Sequence, residues 1–344
     1  MEDVQLNTLY VVTEGAYLHR DGQTIVVEID KRPVLRLPIH MIDSIACFGR
    51  VMVSPQLMEF CAEQDVALNF LTPNGRLMAR VDAPASATVK LRRRQYKLAE
   101  EGAFRLEFSR CIVAGKLQNA RYNLLRSARE IGDGESGEAL RRAAALLAAS
   151  IEAAGKAGSV EEVRGIEGDA ARVYFEHFAL MTPDAPEALR FRTRSRQPPL
   201  DPINALLSLF YSILTHDCVA ALVAAGLDPS VGFFHEDHPG RPGLALDLVE
   251  EFRAPMADRF VITLINRRQV TVDDFVTRPG GAVELKEPAR KRLIGAYQER
   301  KQERRQHPYL EQEAPWGRFV LLQARILASY VRGSVKHYVP VVIK

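Results

Sequence analysis

The sequence is poor in cysteine. Cys47, Cys61, Cys111 and Cys218 are its four, and no two stand in a Cys-x-x-Cys pair, which argues against a zinc knuckle or a disulfide framework and predicts reduced, mostly buried thiols. A long apolar run is also missing: none approaches the roughly 18 to 20 residues that would span a bilayer, so no membrane segment is expected. The N-terminal Met1-Glu-Asp-Val-Gln-Leu6 has no basic region followed by an apolar core, the mark of a secretory leader, and the reading is a cytoplasmic protein. Net charge is small, +3 at neutral pH, so attraction for a polyanion must come from local clustering rather than from the total.

What is present describes an ordinary globular protein, 47% hydrophobic and 26% charged. At 344 residues the chain exceeds a usual single core, which predicts two domains. Its basic residues are grouped. Lys90-Leu-Arg-Arg-Arg-Gln-Tyr-Lys97 has five positive charges and no acid, Arg190, Arg192, Arg194 and Arg196 alternate, and Lys286 to Arg305 carries eight Lys or Arg against three Glu. Each cluster alone is equally a solvated helix face; three together point to phosphate binding.

The N-terminal part reads as strands. Thr8 to Val12, Ala16 to His19, Thr24 to Ile29 and Val34 to Pro38 are short runs of β-branched and aromatic residues, and Asp21-Gly22 is a two-residue hairpin signal. Ile42 to Phe48 and Val66 to Leu71 add strands around a helix at Pro55 to Gln64, and Asn74-Gly75 turns into Leu77 to Val81. An antiparallel sheet is expected. Asp82-Ala-Pro-Ala-Ser-Ala87 is small, proline-containing and aperiodic, and is read as the linker between domains 1–84 and 85–344. From Val89 the period changes to 3.6 residues, with helices near 89–100, 105–130, 136–155, 159–182, 202–225, 246–267, 287–304 and 316–334. The fold class is α+β: an N-terminal antiparallel, sandwich-like β domain, then a larger all-α domain.

Chemistry concentrates in Gly232 to Arg253, which puts His235 and several carboxylates on an otherwise apolar turn-and-helix framework. Such a set can hold a divalent metal. Asp247 and Glu250, three apart, point to one face of a helix. His235 and His238 form a His-x-x-His pair, for which a two-histidine metal site and a satisfied surface histidine are both open. Gly165-Ile-Glu-Gly168 lies inside the helix at 159–182, where each glycine costs about 1 kcal/mol relative to alanine. The compensation is either close approach of a helix or a ligand backbone to Glu167, or a glycine-facilitated crossing with Glu167 solvated.

Gly165-Ile-Glu-Gly168, Arg194-Ser-Arg-Gln-Pro-Pro-Leu-Asp-Pro-Ile-Asn-Ala-Leu-Leu-Ser208, Gly232-Phe-Phe-His235 and Leu246-Asp-Leu-Val-Glu-Glu-Phe-Arg253, in that order and spacing, resemble the CRISPR-associated endonuclease/integrase family Cas1. Four ordered motifs are far more specific than any one, and the resemblance covers essentially the whole chain. Pro239-Gly-Arg-Pro-Gly-Leu-Ala-Leu-Asp-Leu248 and Tyr297-Gln-Glu-Arg-Lys-Gln302 resemble the subtype I-C branch. The resemblance implies a β-sandwich-like domain before an all-helical catalytic domain, and a homodimer that joins the small protein Cas2 to capture double-stranded spacer DNA and integrate it into the repeat array. It puts the metal triad on Glu167, His235 and Asp247, with Glu250 as an accessory carboxylate acting directly or through water.

Two hard oxygen ligands and one imidazole suit Mg²⁺ or Mn²⁺. Such an ion would serve a 3′-hydroxyl attacking a phosphodiester, or water in its place, which gives nuclease activity. Backbone phosphates are assigned to Arg92, Arg93, Arg94, Arg194 and Arg196, and DNA contact also to Arg253 and to Lys301 in the 297–305 helix. Asp201 is expected to cap a helix that Pro202 begins. Asn204, one turn in, is read as a polar contact to Glu167, the metal shell or DNA. Two other readings stay open: a non-catalytic DNA-binding scaffold, and a branched-DNA resolvase using the same site.

Overall fold

The computed structural model describes residues 8–42, 44–64, 66–72, 77–81, 89–195 and 198–344. Strand β1 (Thr8–Val11) enters one sheet and a meander of β2 (Tyr17–Asp21), β3 (Thr24–Ile29) and β4 (Arg32–Pro38) forms another. The β2–β3 turn falls where Asp21-Gly22 signals it, with Gly22 at φ +59°, a left-handed backbone that glycine takes without steric cost. β5 (Ser44–Phe48), β6 (Met52–Val53), β7 (Ala67–Leu71) and β8 (Leu77–Val81) complete two four-stranded sheets, ordered β1-β5-β7-β8 and β4-β3-β2-β6. Helix α1 (Pro55–Glu63) lies between β6 and β7, capped by Ser54, whose hydroxyl accepts from the Leu57 amide at 3.2 Å.

The two-sheet division is the expected one, but strand direction differs. β1–β5, β5–β7 and β2–β6 are parallel. Parallel neighbours need long crossovers, and the chain supplies them: the meander separates β1 from β5, and β6 with α1 separates β5 from β7. The predicted turn at Asn74-Gly75 and the predicted linker at 82–87 lie outside the described residues, although β7 and β8 pair antiparallel as a hairpin requires. One face of the first sheet packs Ile45, Cys47 and Leu68 against Leu57 and Phe60; its other face sends Ala46, Phe48 and Leu71 into the helical core. Cys47, Cys61 and Cys218 are buried free thiols, and burial pushes Cys47 and Cys61 up to about 12.

The helical part runs α2 (Val89–Glu100), α3 (Gly102–Ile131), α4 (Glu135–Lys156), α5 (Val160–Glu176), α6 (Pro202–Ala224), α7 (Gly243–Phe252), α8 (Arg259–Asn266), α9 (Glu287–Gln302) and α10 (Arg318–Arg332). Three departures from the sequence expectation matter. First, α6 is 23 residues long and apolar enough to cross a bilayer by length and composition, against the expectation that no run is; 72% of its most apolar window is buried inside the protein, where α6 packs against α7 and α10. Second, the part expected to be all helical carries two short hairpins, β9 (Phe275–Thr277) with β10 (Val283–Leu285) and β11 (Arg304–Gln306) with β12 (Glu313–Pro315).

Third, the helix expected over 246–267 is broken by a π-helical turn, Arg253–Asp258, between α7 and α8. Pro255 explains it. Proline has no N–H to give the carbonyl four residues back, which is that of Glu251, and Asn119 of α3 donates to that carbonyl instead at 2.8 Å. Asn123, one turn further along α3, donates to the Ala254 carbonyl at 2.7 Å. The widened turn is thus satisfied from α3, the helix that also carries Lys116.

Candidate metal centre

Three segments build the site. The loop before α7 crosses it so closely that a Cβ on Gly232 would sit 2.8 Å from the Gly243 carbonyl carbon, and one on Gly243 would sit 2.9 Å from the Ser230 oxygen. Only glycine fits at either point. The approach lets Asp247, on the second turn of α7, accept three backbone amides: Phe233 at 2.7 Å and Phe234 at 3.1 Å on Oδ2, and His235 at 2.8 Å on Oδ1. The same Oδ1 meets His235 Nδ1 at 2.8 Å. Asp247 is fully buried, and both of its oxygens are committed to folding the loop and holding the imidazole.

His235 therefore keeps Nδ1 on a pure acceptor, which puts the proton there and leaves the Nε2 lone pair facing outward. Nε2 lies 3.8 Å from Oε1 of Glu250, one turn after Asp247. Glu250 is buried, with Arg253 at 3.0 Å from Oε1 and Lys116 of α3 at 2.6 Å from Oε2. Burial alone would raise its pKa, but the charges of Arg253 and Lys116 outweigh it and hold the carboxyl down at about 2. Side-chain cations therefore hold both oxygens of Glu250, unlike those of Asp247. Lys116 also donates to Oε1 of Glu167 on α5, so one ammonium sits between two carboxylates.

The four candidate residues thus occupy one neighbourhood in two different roles. Among the described residues no three His, Cys, Asp or Glu side chains converge into a formed metal cage; the Lys116 ammonium sits between Glu167 and Glu250. The donor chemistry nevertheless fits a hard divalent ion: an outward imidazole nitrogen, a buried ionised carboxylate and a second carboxylate around a point that already holds a cation. A carboxylate behind the histidine, here Asp247, is the usual support of a ligating imidazole. Of the two α7 carboxylates, Asp247 is engaged by backbone amides and His235, whereas Glu250 is held by the side-chain cations Lys116 and Arg253. His238 is exposed, away from the buried pair that His235 makes, and the His-x-x-His alternative finds no support.

Gly165 and Gly168 sit inside α5 with nothing within 4 Å of where either Cβ would be. The glycine-facilitated helix crossing is therefore not found, and the face beside Glu167 is open. A narrow slot next to it is lined by Lys116, Glu167, Arg194, Tyr211, Arg253 and Asp258. Asp258 accepts from Tyr211 at 2.5 Å and from Tyr174 at 3.1 Å, and burial raises its pKa to about 6.

The DNA-binding assignments divide. Arg93 and Arg94 are exposed, the latter with Nε on the Val331 carbonyl at 2.5 Å, and Arg92 is half-buried. Arg194 reaches the site slot but is engaged by Asn204 at 2.7 Å. Arg196 lies outside the described residues. Arg253 is a counterion of Glu250. Two assignments are overturned. Asn204 is fully buried, and its amide spans the Thr193 carbonyl at 2.7 Å, Arg194 and the Ser195 amide; it holds the arginine loop instead of touching Glu167 or DNA. Asp201 does cap α6, accepting from the Asn204 amide at 2.7 Å. Lys301 is 2% exposed and bonded to Asp217 at 2.8 Å, so it cannot meet a phosphate.

Sequence reasoning missed Lys116, which sits in no motif. Its one signal is a charged residue, next to Gly115, in the otherwise inward-facing stretch of α3 from Ile112 to Leu117.

Comparison with known proteins identifies the family. The family described as CRISPR associated protein Cas1 matches residues 9–299. CRISPR-associated endonuclease Cas1 1 of Chlorobaculum tepidum is 45% identical over 338 residues, 98% of either chain. Among solved structures, a casposase bound to integration product superposes with TM-score 0.81 at 22% identity, covering 97% of this chain and 93% of that one. A chain of a Cas6-RT-Cas1–Cas2 complex reaches 0.83 at 23% identity, covering 99% of this chain and 37% of that one. These two show the shared fold. On the family match and the full-length relative, the chain belongs to the Cas1 family of CRISPR-associated proteins.

Proposed function

We propose that the chain works in CRISPR adaptation as a metal-dependent DNA endonuclease and integrase that inserts spacer DNA into the repeat array, with Glu167, His235 and Glu250 as metal ligands. The observation that carries the reading is the Asp247-oriented imidazole beside the buried carboxylate of Glu250, with a cation, the Lys116 ammonium, already held between Glu250 and Glu167. A Mg²⁺ or Mn²⁺ ion bound there would polarise a phosphoryl oxygen and stabilise the charge that develops on it. The chain's own residues do the rest. Asp247 fixes the His235 tautomer and ring plane, and Arg253 and Lys116 keep Glu250 ionised at every working pH. The open glycine face of α5 leaves room for a strand beside Glu167.

In strand transfer the spacer 3′-oxygen forms a new bond to phosphorus as the bond to the repeat's own 3′-oxygen breaks, and the proton passes from the attacking hydroxyl to the departing one. Water as nucleophile gives cleavage by the same route. Double-stranded DNA, a second copy of this chain and Cas2 are the partners we assign; the names of the casposase and Cas1–Cas2 structures support the first and third. We also assign the chain to the cytoplasm. The wording of Pro239 to Leu248 and of Tyr297 to Gln302 supports a subtype I-C assignment within the family.

The test is a Mn²⁺-dependent strand-transfer assay with Cas2, a short duplex bearing free 3′-hydroxyls and a plasmid carrying a repeat. Joined product is expected from the native chain and none from His235→Ala. Salt-sensitive DNA binding without product from either would favour a non-catalytic scaffold.

A further inference from the structure

Apart from the metal centre, the helical part contains a cavity of about 370 Å³ between α3, α8 and the α9–β11 junction. Five arginines line it, Arg126, Arg259, Arg267, Arg300 and Arg305, against two glutamates, Glu130 and Glu303, which leaves three positive charges uncompensated. Glu130 takes two of the five, Arg126 at 3.1 Å and Arg259, and Glu303 takes Arg305 at 2.8 Å. Among the described residues Arg267 and Arg300 have no ion-pair partner, and Arg300 Nε is buried with no hydrogen-bond partner at all.

Two of these guanidiniums are held in place by aromatic faces, Arg300 over Phe260 at 5.6 Å and Arg305 over Trp316 at 5.2 Å, so their orientation is set before any ligand arrives. Burial lowers the pKa of both Arg259 and Arg300, meaning that their charge is poorly solvated and that an anion would relieve it.

We propose that this arginine cavity is a binding site for a backbone phosphate of DNA, separate from the reacting phosphate at the metal centre. The inference rests on the DNA-processing reading above and deepens it. Planar guanidinium forks match phosphate oxygens in pairs, and the volume admits a phosphate with its sugar rather than a duplex. Arg126 lies ten residues beyond Lys116 on α3, a rise of about 15 Å, or about four base-pair steps at 3.4 Å each. The site therefore anchors a strand away from the point of attack. It also relocates the role first given to Lys301: its neighbour Arg300 has the unpaired, cavity-lining charge, and Lys301 does not.

The experiment measures affinity for a labelled 30-base-pair duplex between 50 and 300 mM salt, about the range over which counterion release is resolved, for the native chain, Arg267→Gln and Arg267→Gln/Arg300→Gln. The single variant alters an exposed side chain and keeps the test valid should the double variant fail to fold. Expected is a log–log salt slope shallower by about 0.9 for each arginine that neutralises a phosphate, with roughly tenfold weaker binding at 150 mM for the double variant. An unchanged slope and affinity in both variants would overturn the proposal.

Two further arms separate other occupants. Thermal stabilisation of the native chain by inorganic phosphate, lost in the variants while the DNA slope stays unchanged, would make this a free-phosphate site and overturn the DNA assignment. Loss of Cas2 co-elution with an unchanged DNA slope would make it a protein interface and overturn it equally. A native chain that does not bind the duplex at all would overturn the functional reading itself, an outcome distinct from a defect confined to the variants.

Discussion

Lys116 and Lys301 each place an ammonium against a carboxylate inside the same helical body, and the contrast between them separates function from architecture. Lys301 and Asp217 are 2% and 5% exposed at their side chains. Asp217 is completed by the Tyr10 hydroxyl of β1 at 3.0 Å, so the pair ties the β part to α6 and α9. The two charges of the pair are matched and sealed from solvent. Lys116 and Glu167 are 15% and 19% exposed, and their neighbourhood keeps an outward imidazole nitrogen and two carboxylates on a single ammonium. A saturated buried pair is structural, whereas a cluster left incomplete at the edge of solvent is poised for a ligand.

The comparison breaks most visibly through stability. Lys301→Ala strands a buried carboxylate and is expected to cost about 3–5 kcal/mol in urea unfolding, whereas Lys301→Met with Asp217→Leu should recover most of it. DNA affinity of the folded fraction should not change in either. Next in size, Glu250→Gln should lower Mn²⁺-dependent strand transfer by about 10²–10³-fold, the range seen when a group stabilising transition-state charge is removed; single-turnover product yield reads it.

His216, beside Asp217, sharpens the contrast through pH. Both its ring nitrogens are buried without partners, and burial pushes its pKa down to about 4. A depressed histidine contributes stability that is present above its unfolded value of about 6.5 and is lost as pH falls through the folded one. Melting temperature should therefore drop between pH 6.5 and 4, by the equivalent of up to about 3 kcal/mol, and His216→Leu should flatten that limb. The smallest effect is expected at Lys116→Met, where removing a partly exposed competing cation should tighten Mn²⁺ binding by about 1 kcal/mol, read by calorimetry.

Much of the fold was legible because its signals are local. Eight helical stretches follow from the 3.6-residue period, and Ser54 and Asp201 act as caps at the helix starts that Pro55 and Pro202 mark. Strand direction was not legible, since parallel pairing of β1 with β5 depends on where the chain returns rather than on residue alternation. The α9 cluster was misread at Lys301 because a helix reveals its buried face only through its neighbours: Arg300 lines a cavity while Lys301, the next residue, is sealed against Asp217. The π-helical turn was implicit in Pro255, but needed Asn119 and Asn123 from a distant helix to become satisfiable.

The carboxylates of α7 show the same limit within one motif. Asp247, Glu250 and Glu251 share a face by spacing, and spacing cannot rank them. Contacts do: Asp247 is consumed by three backbone amides and His235, and Glu251 is turned inward to Tyr338, Gln323 at 2.8 Å and the Val341 amide at 2.5 Å. That leaves Glu250 as the carboxylate held by side-chain cations, the partners a metal ion could replace.

The most direct measurement is therefore a Mn²⁺ titration followed by electron paramagnetic resonance on the native chain, Glu250→Gln and Asp247→Asn. The account predicts that Glu250→Gln abolishes the tight site, while Asp247→Asn weakens it by about 10–100-fold, as loss of a group supporting a ligand does. Native Mn²⁺ affinity in Glu250→Gln, with complete loss in Asp247→Asn, would contradict it and return the ligand role to Asp247.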